Sequence, residues 1–130
     1  MFDLSKSLFA VAAVVASATA VHAAEVRPFE RAAFVAAQAA GRPILVEVRA
    51  WWCPVCASQG ATIRSTIADP AYANLVVFRI NYDSQKRELP SFAVNKQGTL
   101  IAYRGTAQVG RLDYVTDKPR IRALIAQTLR

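Results

Sequence analysis

Cys53-Pro54-Val55-Cys56 carries the only two thiols of this 130-residue chain. It follows Ile44-Leu45-Val46-Glu47-Val48-Arg49, a β-branched and mostly apolar run of the kind that forms a short strand buried on both faces. After it, residues 57–68 lack proline and place Ile63 and Ile67 one turn apart, which predicts a helix starting at or just before Cys56. A thiolate at a helix start is stabilised by free backbone N–H groups and by the helix dipole. Cys53 is therefore expected to be the exposed nucleophile. Cys56, in the first turn, is expected to resolve the mixed disulfide and release product. Two other uses of the pair compete with this one. A cross-link between residues three apart removes little chain entropy. A structural zinc site needs four ligands, and beyond residue 23 the chain offers these two cysteines and no histidine, so a metal would have to be shared between two chains.

The elements that hold the pair follow from pattern. Pro28 opens a helical spacing of Phe29, Ala33, Ala36 and Ala40 that Gly41 and Pro43 terminate. Leu75-Val76-Val77-Phe78-Arg79-Ile80 reads as a second buried strand, and the order strand, helix, strand implies a parallel crossover. Residues 84–92 read as a short helical or irregular connection. Thr99 to Tyr103 and Ala107 to Arg111 read as an antiparallel hairpin around Arg104-Gly105-Thr106. A last helix is expected over about Pro119 to Leu129, with Ile121, Leu124, Ile125 and Leu129 on one face. The sum is an α/β domain: a mixed sheet of about four strands flanked by helices.

Residues 1–23 read as a secretory signal peptide, an apolar run from Leu8 behind Lys6, with Val21 and Ala23 before the cleavage point. The mature domain is then 24–130, and the protein is expected to be periplasmic or secreted. Lys6 and Asp3 cancel, so the net charge stays at +7 without the leader. The Lys and Arg residues are scattered, which argues against nucleic acid; the balance suits acidic partners or anionic lipid surfaces, and a solvated basic surface with no specific partner accounts for it best. Export places the two cysteines where disulfides are permitted.

The stretch from Ile44 to Cys56 resembles the active-site segment of thioredoxins, in which a buried acid lies six residues before the first cysteine and a tryptophan directly precedes it. Ile80-Asn81-Tyr82-Asp83, Phe92-Ala93-Val94 and Gly98-Thr99-Leu100-Ile101-Ala102-Tyr103 continue the resemblance over most of the chain beyond residue 23. It implies a thioredoxin fold and dithiol–disulfide exchange on protein or small-molecule disulfides, without a cofactor, by a monomer served by a membrane or periplasmic electron donor. It makes Glu47 the buried acid that accepts the proton of Cys56, and Arg79 the cation near it, where thioredoxins carry lysine. Trp52 would pack beside the site and exclude water. Two adjacent tryptophans cannot both be buried on one strand-end face, so one of the pair Trp51 and Trp52 is expected to be a contact surface. Gly98 stands where thioredoxins carry a cis-proline. With Thr99 it would face the substrate, in a groove less preorganised than a proline would make it. No histidine lies between the cysteines, which favours a reductant over a strong oxidant. The runner-up is a metal-handling module built on the same two cysteines. A third reading is a peptide-binding chaperone that uses Trp51 and Trp52.

Overall fold

The computed structural model describes residues 12–17 and 23–130. Most of the expected leader lies outside them, and no helix among the described residues is long and apolar enough to cross a membrane. The elements are β1 (Glu25–Pro28), α1 (Arg31–Ala39), β2 (Pro43–Arg49), α2 (Pro54–Ile67), β3 (Val76–Asn81), β4 (Thr99–Arg104), β5 (Ala107–Asp113) and α3 (Lys118–Ala126). Short 3₁₀ turns at Lys86–Glu88 and Pro90–Phe92 form the connection from β3 to β4.

The sheet runs β1-β3-β2-β4-β5. The pairs β1–β3 and β2–β3 are parallel, and β2–β4 and β4–β5 are antiparallel. The sheet thus has five strands where about four were expected. The extra one is β1, whose sequence Glu25-Val26-Arg27-Pro28 is short, half charged and mostly exposed, with only two apolar residues to signal a strand. Its Pro28 belongs to this edge strand, a position that tolerates proline. The first helix consequently begins at Arg31, not at Pro28.

Successive residues of a strand point to opposite faces, and β2 sorts its side chains accordingly. Ile44, Val46 and Val48 join Phe34 of α1, Val76, Phe78 and Ile80 of β3, and Phe29 and Phe92 in one core. Four phenylalanines of that core, Phe29, Phe34, Phe78 and Phe92, meet with ring centroids 5.4–6.0 Å apart, mostly edge to face. Such pairs add about 0.5–1.5 kcal/mol each beyond area burial. Leu45 joins Val77, Leu100 and Ala102 under Ile63 of α2 and Ile121, Leu124 and Ile125 of α3. The same alternation sends Glu47 and Arg49 to the α2 side, at the end of β2 that leads into the cysteines.

Candidate active site

Local sequence dictates how α2 begins. Cys53 is the N-cap, with extended backbone (φ −96°, ψ 108°), and Pro54 follows in the first turn. Proline suits that position because its fixed φ fits the helix and its missing N–H has no partner there to lose. The Cys53 sulfur takes the role of a capping oxygen and accepts the backbone N–H of Cys56 at 3.1 Å. Cys53 is nevertheless only 3% exposed, and it packs with Ala50, Cys56, Val55 and Tyr82. The expectation of an exposed nucleophile is thereby corrected: the cap points the sulfur into the turn, and exchange starts from a shielded atom.

Cys56 is 1% exposed. Burial pushes its thiol up to about 11 from 9.0, helped by a hydrogen bond with Cys53, while the Ala50 backbone and the charge of Arg49 act the other way. The unfolded chain therefore releases this proton near 9 and the folded chain near 11. Between those values the unfolded state binds fewer protons, so the stabilisation is complete below 9 and is lost as pH rises towards 11. Urea unfolding of the reduced protein should show roughly 1 kcal/mol less stability from this group at about pH 10 than at about pH 7. Tyr72 and Tyr103, also raised by burial, add to the fall. The Cys56→Ala protein should show a shallower decline, and an equal decline would contradict the assignment.

Glu47 is 1% exposed and lies between two arginines. Arg79, its register partner on β3, donates through Nε to Oε2 at 3.1 Å. Arg49, two residues along the same strand face, places Nη1 3.6 Å from Oε1. Oε1 itself is buried without a hydrogen-bond partner. Helix α2 comes close here through Gly60, where an added Cβ would stand 3.7 Å from Oε1 and 3.3 Å from Arg64 Nη1. The pairing of Glu47 with Arg79 was legible in the sequence. Arg49 was overlooked, although its i+2 spacing from Glu47 was the signal that would have found it.

Trp52 is half exposed, donates from Nε1 to Asp83 Oδ2 at 2.9 Å, and meets Tyr82 edge-on at 6.3 Å. Trp51 makes no such contact and is 89% exposed, so it is the tryptophan left as a surface.

Gly98 has φ +81°, and no peptide bond among the described residues is cis. The Gly98 N–H donates to Val48 O at 2.8 Å, and its carbonyl accepts from Gln59 Nε2 at 2.8 Å and from the Tyr114 N–H at 2.9 Å. Buried Gln59 also donates to Val115 O at 3.0 Å, so one α2 side chain ties together both loops beside the cysteines. A Cβ at residue 98 would meet Tyr114 Cδ2 at 3.0 Å and Val55 Cγ1 at 3.4 Å. Tyr114, itself at φ +59°, thus occupies space that a side chain at 98 would need, and Lys96 Nζ sits 3.6 Å over its ring. Thr99 is 2% exposed, and its hydroxyl is engaged by Lys96 O and Asp113 Oδ1. Thr99 therefore supports the loop and does not present its hydroxyl to a substrate.

Gly98→Ala should cost about 1–2 kcal/mol from the left-handed backbone alone, plus a steric share against Tyr114. Adding Tyr114→Gly should recover only that steric share. A urea-unfolding cycle of the four proteins should give a coupling of about 0.5 kcal/mol or more, and strict additivity would show that the two residues do not share the space.

No group of three or more His, Cys, Asp or Glu side chains gathers among the described residues. A metal held by Cys53 and Cys56 would need donors from a second chain.

A redox-type CxxC at the N-terminus of the crossover helix α2, over a buried acid, defines the thiol–disulfide oxidoreductase class. Trxlp from Edwardsiella tarda, a solved structure, is 42% identical to this chain, with a TM-score of 0.75 over 78% of this chain and 98% of that one. The chain belongs to the thioredoxin-like family. Thioredoxins from Malassezia sympodialis (15% identity, TM-score 0.70, 84% of this chain and 97% of that one) and spinach chloroplast (thioredoxin f, 17%, 0.63, 79% and 93%) share its fold. No protein-family model matches the sequence, and no curated protein does.

Proposed function

We propose that this oxidoreductase acts in the cell envelope, after loss of residues 1–23, as a reductant of protein or small-molecule disulfides. The observation that carries the reading is the cap itself. Strong oxidants owe their potential to stabilisation of the reduced form. Among the described residues, the Cys53 sulfur accepts one backbone N–H and no side-chain donor other than its partner cysteine.

The Cys53 thiolate attacks one sulfur of the substrate disulfide, forming a mixed disulfide and releasing the other sulfur as a thiolate, which takes a proton from water. Cys56 then attacks Cys53, displaces the second substrate thiolate, and leaves a Cys53–Cys56 disulfide. Two electrons have moved to the substrate. The proton that Cys56 sheds passes to Glu47, whose Oε1 is the unpartnered acceptor beneath α2. A membrane or periplasmic dithiol donor serves the monomer and restores the reduced pair. Trp52 and Gly98 border the cysteines where the substrate enters.

Thiol trapping in fractionated cells tests the direction. A reductant should be recovered from the envelope fraction with Cys53 and Cys56 mostly reduced. A predominantly oxidised pair, or recovery from the cytosol, would overturn the proposal.

A further inference from the structure

The exposed Trp51 has no part in the exchange steps, yet it borders a cleft of about 340 Å³ at the end of the sheet from which the cysteines emerge. Arg27, Arg49 and Arg79 line this cleft, together with Val26 and Pro28 of the edge strand. Register explains the placement of all but Arg27, which stands across from Phe78 on the other face of β1 with its guanidinium 5.9 Å over that ring. Pro28, Arg79 and Glu47 stand in one row across β1, β3 and β2, with Arg49 two positions beyond Glu47 on the same face.

The charges around the cleft do not cancel towards solvent. Glu47 is 1% exposed beneath the floor, whereas the Arg79 and Arg49 side chains that pair with it remain 32% and 30% exposed. Arg27, turned to the other face over Phe78 and paired at 3.3 Å with exposed Glu25, adds nothing to this excess. The rim therefore offers guanidinium groups beside an indole and two small apolar side chains. Guanidinium forks favour carboxylates, and an exposed indole offers a large rigid contact.

We infer that this cleft is a docking site for an acidic segment of the protein substrate, lying a few residues from the disulfide that Cys53 attacks. Trp51 precedes Cys53 by two residues, a span of at most about 7 Å of chain. A carboxylate held by Arg49 and Arg79, with a neighbouring apolar side chain against Trp51, would bring a nearby substrate sulfur to α2. The inference rests on the proposed reductase reading and adds its substrate class.

The test uses two disulfide-linked peptide substrates of equal length, one flanked by Asp and Glu and the other by Lys, with uncharged hydroxyethyl disulfide as reference. Serine versions of both peptides report binding by fluorescence anisotropy, independently of redox chemistry. At low salt, kcat/KM should favour the acidic peptide by about tenfold, and a rise from about 20 mM to about 500 mM NaCl should shrink that preference. Trp51→Glu should abolish most of it, and Trp51→Ala should weaken binding of the acidic serine peptide about fivefold. Neither variant should change reduction of hydroxyethyl disulfide. Arg122→Glu, a larger charge change on the exposed face of α3, should keep the preference. Equal rates for the two peptides, or an equal loss in Trp51→Glu and Arg122→Glu, would overturn the docking site. Selective binding of the acidic serine peptide without reduction of any disulfide would uphold the cleft and overturn the reductase reading.

Discussion

Replacing Cys53 by serine is expected to bring disulfide exchange down to background, a loss of about a thousandfold or more, because the attacking species is a thiolate that a hydroxyl cannot replace. The fold should survive. Serine is a favoured N-cap, so it can accept the Cys56 N–H that the sulfur accepts now, and stability should stay within about 0.5 kcal/mol of the parent. Loss of activity with unchanged urea unfolding separates chemistry from structure. Cys56→Ser should behave differently, since the first attack needs only Cys53. That protein should accumulate as a mixed disulfide, seen on non-reducing gels and dissolved by dithiothreitol. Full biological function in a Cys53→Ser, Cys56→Ser protein that has lost exchange would point to the peptide-binding use of the two tryptophans.

The second large effect concerns Glu47. Removing one partner of a buried charge cluster costs about 3–5 kcal/mol. Arg49 and Arg79 are each about one-third exposed and can turn part of their charge to water, so Glu47→Ala should fall at the lower end, at about 3 kcal/mol. For a domain of this size that is a large share of a total of about 5–15 kcal/mol. Arg79→Leu or Arg49→Leu alone should cost less, because the other arginine keeps the carboxylate paired. Glu47→Gln distinguishes pairing from proton transfer. A general base contributes about 10²–10⁴ in rate, so release of substrate from the mixed disulfide should slow by about a hundredfold at neutral pH. Unfolding at lower urea with unchanged release would leave Glu47 only its ion pairs.

Local chemistry made much of this molecule legible before any fold was known. The strands at 43–49 and 76–81 are mostly apolar runs rich in β-branched residues, and burial on both faces is what such runs require. Cysteine in front of a helix declared its own role, and Glu47 declared itself by being the one acid inside a buried strand. β1 was not legible, because an edge strand held by neighbours on one side needs no apolar alternation, and Phe29 happened to fit helical spacing while serving the aromatic core from outside α1. The depth of Cys53 was missed for a different reason. Spacing reports which residue caps a helix, not that the cap turns the sulfur inward beneath Val55 and Tyr82. Gln59 and Tyr114 escaped because their partners are distant in the chain, Gln59 reaching Gly98 across 39 positions. Gly98 was recognised as a departure from the cis-proline pattern, but only the fold shows Tyr114 standing in the vacated space.

The measurement that bears most directly on the reductase account is equilibration of the 24–130 protein in glutathione redox buffers, followed by tryptophan fluorescence and checked by thiol trapping. The account predicts one reversible two-electron transition near the thioredoxin value of about −270 mV, absent from Cys53→Ser. A transition near about −120 mV would make the protein an oxidant. No reversible transition, with metal recovered at two cysteine pairs per ion, would contradict dithiol exchange altogether.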